Sequence, residues 1–84
     1  MEGQDVTSVY KQVRDDPCTS ANKRKILAAA NSLLSQWDYM DRSEAQEQMN
    51  MLTAVAHFPN ARACGQELLR GIYKAYERNG VDIN

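Results

Sequence analysis

Apolar residues recur at intervals of three and four through most of this sequence, which is the spacing of one face of an α-helix. No segment alternates apolar and polar residues as a half-buried β-strand does. The pattern therefore predicts an all-α fold. Its clearest run consists of Ile26, Leu27, Ala30, Leu33, Leu34 and Trp37.

Two prolines, Pro17 and Pro59, interrupt this pattern, because proline lacks a backbone N–H and clashes with the preceding helical turn. We expect a short first helix that starts at Asp5 and ends before Pro17. A second helix should begin with Thr19 or Ser20 as its N-cap and run to the single tryptophan. The predicted inward positions of the first helix are Val6, Val9, Tyr10 and Val13.

Two further helices are predicted on either side of Pro59. Ser43 followed by Gln46 matches a capping box and predicts the start of the third. Asn60 is expected to cap a fourth helix over residues 61–79, which Gly80 ends in a left-handed conformation. The predicted inward positions are Ala45, Met49, Leu52, Val55 and Ala56 in the third helix and Ala61, Cys64, Leu68, Leu69, Ile72 and Tyr76 in the fourth.

Short breaks between helices favour antiparallel neighbours, so we predict a small up-down bundle of three longer helices plus a short N-terminal helix. Residues 1–84 form a single domain in this prediction, with loose tails at 1–4 and 81–84. Leu, Ile, Val and Phe make up only about 18% of the chain, which indicates a thin core. A thin core favours association with a partner protein or a second copy.

The two cysteines, Cys18 and Cys64, each lie near the N-terminus of a predicted helix, the second and the fourth. In an up-down bundle these helices run parallel, so both thiols lie at the same end, where a disulfide could join them. The chain has no apolar run long enough for a signal peptide or a membrane span. We therefore expect a cytoplasmic protein, in a host cytoplasm if it is viral, and favour reduced thiols over the disulfide.

Residue types that carry chemistry are sparse. A zinc site needs at least three ligands, and Cys18, Cys64 and the lone His57 show no paired spacing. Cys64 with His57 as its base lacks an orienting group for nucleophilic catalysis. The glycines are scattered and form no phosphate-binding loop. We accordingly expect no enzyme activity, no metal, no cofactor and no small-molecule substrate.

The connection after the second helix is the strongest candidate for a protein interface. Tryptophan and tyrosine often dominate the binding energy of interfaces, and methionine adapts to irregular surfaces. Trp37 is expected to complete the core as well, whereas Tyr39 and Met40 lie off the inward face beside acidic residues. The predicted partner-binding residues are Trp37, Tyr39, Met40, Glu44, Glu47 and Met51.

Nucleic-acid binding is the alternative prediction. Three consecutive basic residues stand in the first turns of the second helix, where the helix dipole disfavours positive charge, and Asp15 and Asp16 just upstream offer a neutralising explanation. The alternative requires one continuous basic surface, although the formal net charge is only −1. Its residues would be Lys23, Arg24, Lys25, Arg62, Gln66, Arg70 and Lys74.

No motif identifies a family. The absence of a catalytic constellation and the small helical fold indicate a regulatory or adaptor protein, of the accessory type that bacteria, phages and viruses use to modulate a larger machine.

Overall fold

Four α-helices and two single-turn 3₁₀ helices form the structure, a computed structural model that describes residues 5–82. The predicted tails at 1–4 and 83–84 lie outside this range. No strand occurs within it, and the all-α bundle is confirmed. The elements are α1 (Val6–Val13), α2 (Ser20–Ser35), η1 (Trp37–Tyr39), α3 (Arg42–Ala56), η2 (Pro59–Ala61) and α4 (Gly65–Asn79).

Side-chain caps fix the starts of α2 and α3. Thr19 accepts a hydrogen bond from the backbone N–H of Asn22 at 3.1 Å, as expected for the N-cap of α2. The N-cap of α3 is Asp41, whose carboxylate accepts from the N–H of Glu44 at 3.2 Å. The capping box predicted at Ser43 is therefore wrong, because the helix already starts at Arg42 and places Ser43 inside its first turn.

The start of α4 differs most from the prediction. Residues 59–61 form η2, and α4 begins only at Gly65. Asn60, expected to cap α4, instead donates its side-chain N–H groups to the backbone carbonyls of Arg14 at 2.8 Å and Asp15 at 3.0 Å. This long-range contact ties η2 to the end of α1, which local sequence signals do not reveal.

The C-terminus of α4 is closed by a Schellman motif. Gly80 adopts φ 67° and donates to the carbonyl of Glu77, while the N–H of Val81 donates to the carbonyl of Tyr76 at 3.0 Å. Val81 is half-buried against the core. The predicted loose tail therefore does not include Val81.

The core forms where the helices face one another, and no buried side chain within residues 5–82 is polar or charged. All five inward positions predicted for α3 are buried. Tyr10, Leu27 and Leu69 are half-buried instead of inward, and they pack against the margin of the core. Ala29 and Ala75 are buried in their place.

Helices α2 and α4 run parallel, as the up-down topology predicts. Helix α3 returns between them in chain order, since its first turn follows η1 and its last residue lies against the start of α4. Three cross-helix pairs advance in the same direction along α2 and α4: Lys23 with Glu67, Leu27 with Gly71, and Asn31 with Asn79.

A disulfide joins Cys18 to Cys64 at the common end of these two helices, with a Cα–Cα distance of 5.6 Å. The favoured expectation of reduced thiols is thus corrected in favour of the bonded alternative. The physical reason is the parallel packing, which brings the segments before α2 and α4 together.

We predict that replacing both cysteines, Cys18→Ala with Cys64→Ala, lowers the free energy of unfolding by up to about 4 kcal/mol. The disulfide spans 46 positions and restricts the unfolded chain accordingly. Urea unfolding monitored by circular dichroism measures the change. Equal midpoints for the double variant and the oxidised wild type would contradict a bonded native state.

A second prediction concerns the packing of α4 against α3. A β-carbon at Gly65 would overlap the backbone carbonyl oxygen of Ala56, which cannot move without moving its helix. Gly65→Ala should lower the free energy of unfolding by about 1–3 kcal/mol, more than the helix propensity that alanine gains. In the matched variant Gly71→Ala the new methyl meets only the Leu27 side chain, so its loss should be smaller in the same unfolding experiment.

Candidate functional site

Trp37 belongs to the core. Its side chain is 7% exposed, and its ring meets that of Tyr76 edge to face with the centroids 6.4 Å apart. Arg42 covers the ring, with its guanidinium carbon 5.6 Å from the ring centroid. Trp37 thus offers a partner little surface, and a contact in this region must use its neighbours.

Tyr39 lies two residues further on and is 90% exposed. The backbone on both sides of it is fixed, because its own N–H donates to the carbonyl of Gln36 at 2.9 Å and the N–H of Met40 donates to that of Trp37 at 3.4 Å. Met40 is half-buried against the core. The 3₁₀ turn η1 therefore presents Tyr39 to solvent from a hydrogen-bonded backbone turn.

Acidic side chains lie close to Tyr39 in the sequence. Asp38 and Asp41 flank it in the chain, and Glu44, Glu47 and Met51 follow along α3 at helical spacing, on one side of the helix. The four carboxylates are exposed, and Met51 is half-buried. We call this surface the Tyr39 patch: Asp38, Tyr39, Met40, Asp41, Glu44, Glu47 and Met51.

Arg42 is the residue of this region that the sequence analysis missed. It occupies the first turn of α3, where the helix dipole disfavours a positive charge. A positive charge at this unfavourable position is the sequence feature that could have indicated a specific contact for Arg42. The role is to cover the Trp37 ring.

The basic triplet of α2 is divided among different neighbours. Lys23 pairs with Glu67 of α4 at 3.0 Å, while Lys25 donates to the side-chain oxygen of Gln12 of α1 at 3.0 Å. Arg24 remains exposed between them. Lys23 is thus paired with Glu67 instead of with the upstream aspartates.

A groove lies between the η2 segment and the outer side of α4. Its wider part, about 350 Å³, is lined by His57, Phe58, Pro59, Arg62, Gln66 and Leu69 together with small residues. A narrower part of about 220 Å³ shares Gln66 and Leu69 and adds Arg70 and Tyr73. We call this the α4 groove. Of the basic residues predicted on α4, Arg62 and Arg70 line it, whereas Lys74 is exposed outside it.

Residues 5–82 contain no group of three or more His, Cys, Asp or Glu side chains that could hold a metal ion. Both cysteines are bonded, so Cys64 has no thiol for His57 to activate. No helix in the described range is long and apolar enough to cross a membrane.

Comparison with protein-family models finds no match. Comparisons with curated proteins and with solved structures find no significant match either. Function must therefore be argued from the surfaces themselves.

Tyr76, which packs on Trp37, carries the perturbed ionisation of this region. Burial raises the pKa of its phenol above 10.0, and the neighbouring Tyr73 raises it further. The unfolded chain therefore releases this proton at a lower pH than the folded protein does. The contribution of neutral Tyr76 to the free energy of unfolding is fully present below about pH 10. It is lost as the pH rises through the pKa of Tyr76 in the folded protein.

We predict that Tyr76→Phe reduces the loss of unfolding free energy between about pH 9 and pH 11, because phenylalanine has no proton to release. Urea midpoints measured across that range test it. The control is Tyr39→Phe, which removes an exposed phenol and should leave the alkaline slope of the wild type unchanged. Identical slopes for wild type and Tyr76→Phe would contradict the prediction.

Proposed function

We propose that this protein is a non-catalytic regulatory or adaptor domain that binds another protein through the Tyr39 patch. The observation that supports this most directly is the exposure of Tyr39, at 90% the most exposed large apolar side chain among residues 5–82. Tyrosine is enriched among residues that dominate binding energy.

Rigid presentation supports the proposal. The η1 backbone is hydrogen-bonded on both sides of Tyr39. The side chains of Trp37 and Met40 pack against the core and anchor the turn. A tyrosine has few rotatable bonds, so ordering it on a fixed turn loses little conformational entropy on binding. An exposed aromatic ring on such a turn can therefore contact a partner protein at a low entropic cost.

The charges of the patch indicate a basic partner. Asp38, Asp41, Glu44 and Glu47 are all exposed, while the nearby Arg42 lies over Trp37. Symmetric pairing of two copies through this patch would place carboxylates against carboxylates, which is unfavourable. We therefore favour a different protein with lysine or arginine around an apolar pocket over a homodimer. The same carboxylates would repel nucleic acid.

The disulfide bears on where the protein works. Our expectation of a cytoplasmic location implied reduced thiols, whereas disulfides persist chiefly in oxidising compartments. The Cys18–Cys64 bond therefore favours a partner that meets this protein under oxidising conditions.

The test uses purified protein immobilised under non-reducing conditions, native host extract and quantitative mass spectrometry. A partner captured by the wild type is purified, and its affinity for Tyr39→Ser is measured. Loss of a binding hot spot worth about 2 kcal/mol predicts affinity roughly 30-fold weaker.

The matched control is Tyr73→Ser, because Tyr73 is the other exposed tyrosine of this kind, at 48%, and lies on α4 away from the patch. It should keep wild-type affinity for this partner, and both variants should retain wild-type helicity. Equal binding by Tyr39→Ser and wild type would refute the proposal.

A further inference from the structure

We infer that the α4 groove binds an acidic peptide segment of another protein, one that carries apolar side chains between Asp and Glu residues. This site is separate from the Tyr39 patch. It begins at the disulfide end of the bundle, whereas the patch follows the C-terminus of α2 at the opposite end.

Apolar side chains contribute to both parts of the groove. Phe58 and Leu69 are half-buried, and Tyr73 is 48% exposed. Phe58 is held in place by Tyr10, whose ring it meets edge to face at a centroid distance of 6.1 Å. Accessible apolar side chains that line one groove can contact apolar side chains of a ligand.

The charged side chains that line the groove are positive. Arg62 and Arg70 line its two parts, both are exposed, and no carboxylate belongs to the lining. Neither arginine forms an ion pair with a carboxylate within residues 5–82. Glu67, in the same turn of α4 as Gln66, is directed to the α2 side, where Lys23 binds it. The guanidinium groups are thus available to carboxylates of a ligand.

The dimensions match a short peptide. From Gly65 to Tyr73, α4 rises by about 12 Å, the length of roughly four extended residues or two helical turns. Two arginines beside Phe58, Leu69 and Tyr73 match a few carboxylates among apolar side chains. A nucleic acid would present a denser row of phosphates and requires more positive charge than this surface supplies.

The probe is a fluorescein-labelled ten-residue peptide that contains three leucines, one phenylalanine and six Asp or Glu residues. Binding is followed by fluorescence anisotropy, and the contact surface by amide shifts in NMR spectra of the oxidised protein. We expect shifts confined to residues 57–73 and affinity at least tenfold weaker for Arg70→Glu and for Arg62→Glu. Arg70→Lys should retain most of the affinity.

The matched control is Arg24→Glu, which reverses an exposed arginine outside the groove and should bind like the wild type. A second peptide, with its leucines and phenylalanine replaced by serine, should bind at least tenfold more weakly. Tyr39→Ser should bind the first peptide normally, so this test is independent of the proposed function.

Three results would overturn the inference: no binding of the first peptide, equal weakening by Arg24→Glu and Arg70→Glu, or undiminished binding of the serine peptide. Tighter binding of a single-stranded oligonucleotide at the same residues would assign the groove to nucleic acid instead. Circular dichroism of each variant ensures that lost binding is compared between folded proteins.

Discussion

The disulfide between Cys18 and Cys64 joins the two chain segments that lead into α2 and α4. Because both helices start from the same covalent link and run parallel, residues that meet along them are separated by nearly constant distances in sequence. The separation is 46 at the disulfide, 44 at Lys23 and Glu67, and 48 at Asn31 and Asn79. The cross-link thus has the same register as the side-chain contacts between α2 and α4 and holds the two helices together at their common end.

Both candidate surfaces depend on this register. At one end it brings η2 beside the first turns of α4, which creates the groove. At the other end it places Tyr76 under Trp37, so that η1 turns over a buried ring and presents Tyr39 outward. In the middle it pairs Glu67 with Lys23, which removes the nearest carboxylate from the side of α4 that carries the groove.

Much of the fold was predictable because its information is local. Helical spacing and two prolines indicated the number and order of the helices, and the inward face of α3 was predicted completely. The two errors have different origins. Asn60 bonds to the end of α1 instead of capping α4, and this contact leaves no trace in the nearby sequence. At the start of α3 two local signals compete, since Asp41 with Glu44 matches a helix start as well as Ser43 with Gln46 does, and the structure uses Asp41.

The site was predictable only in part for the same reason. Tyr39 lies off the helical face in the sequence pattern, so its exposure could be expected. The α4 groove could not be predicted, because it forms only where η2 lies against α4. Its charge also depends on which carboxylates are already paired with a cation. The sequence also does not distinguish Arg62 and Arg70 from Lys23 as candidate binding residues. In the structure the two arginines line the groove, whereas Lys23 forms an ion pair with Glu67.

The near-neutral net charge of the chain hides a separation of charge within the molecule. Exposed carboxylates cluster around Tyr39, and the two arginines line a groove that begins at the other end. The bundle also has a fully apolar core and a covalent cross-link, so the case for a partner no longer depends on a thin core. It depends on two surfaces of opposite charge, each with an exposed tyrosine. Contact between them on successive copies would be heterologous, so it would build a ring or an open filament and not a symmetric pair.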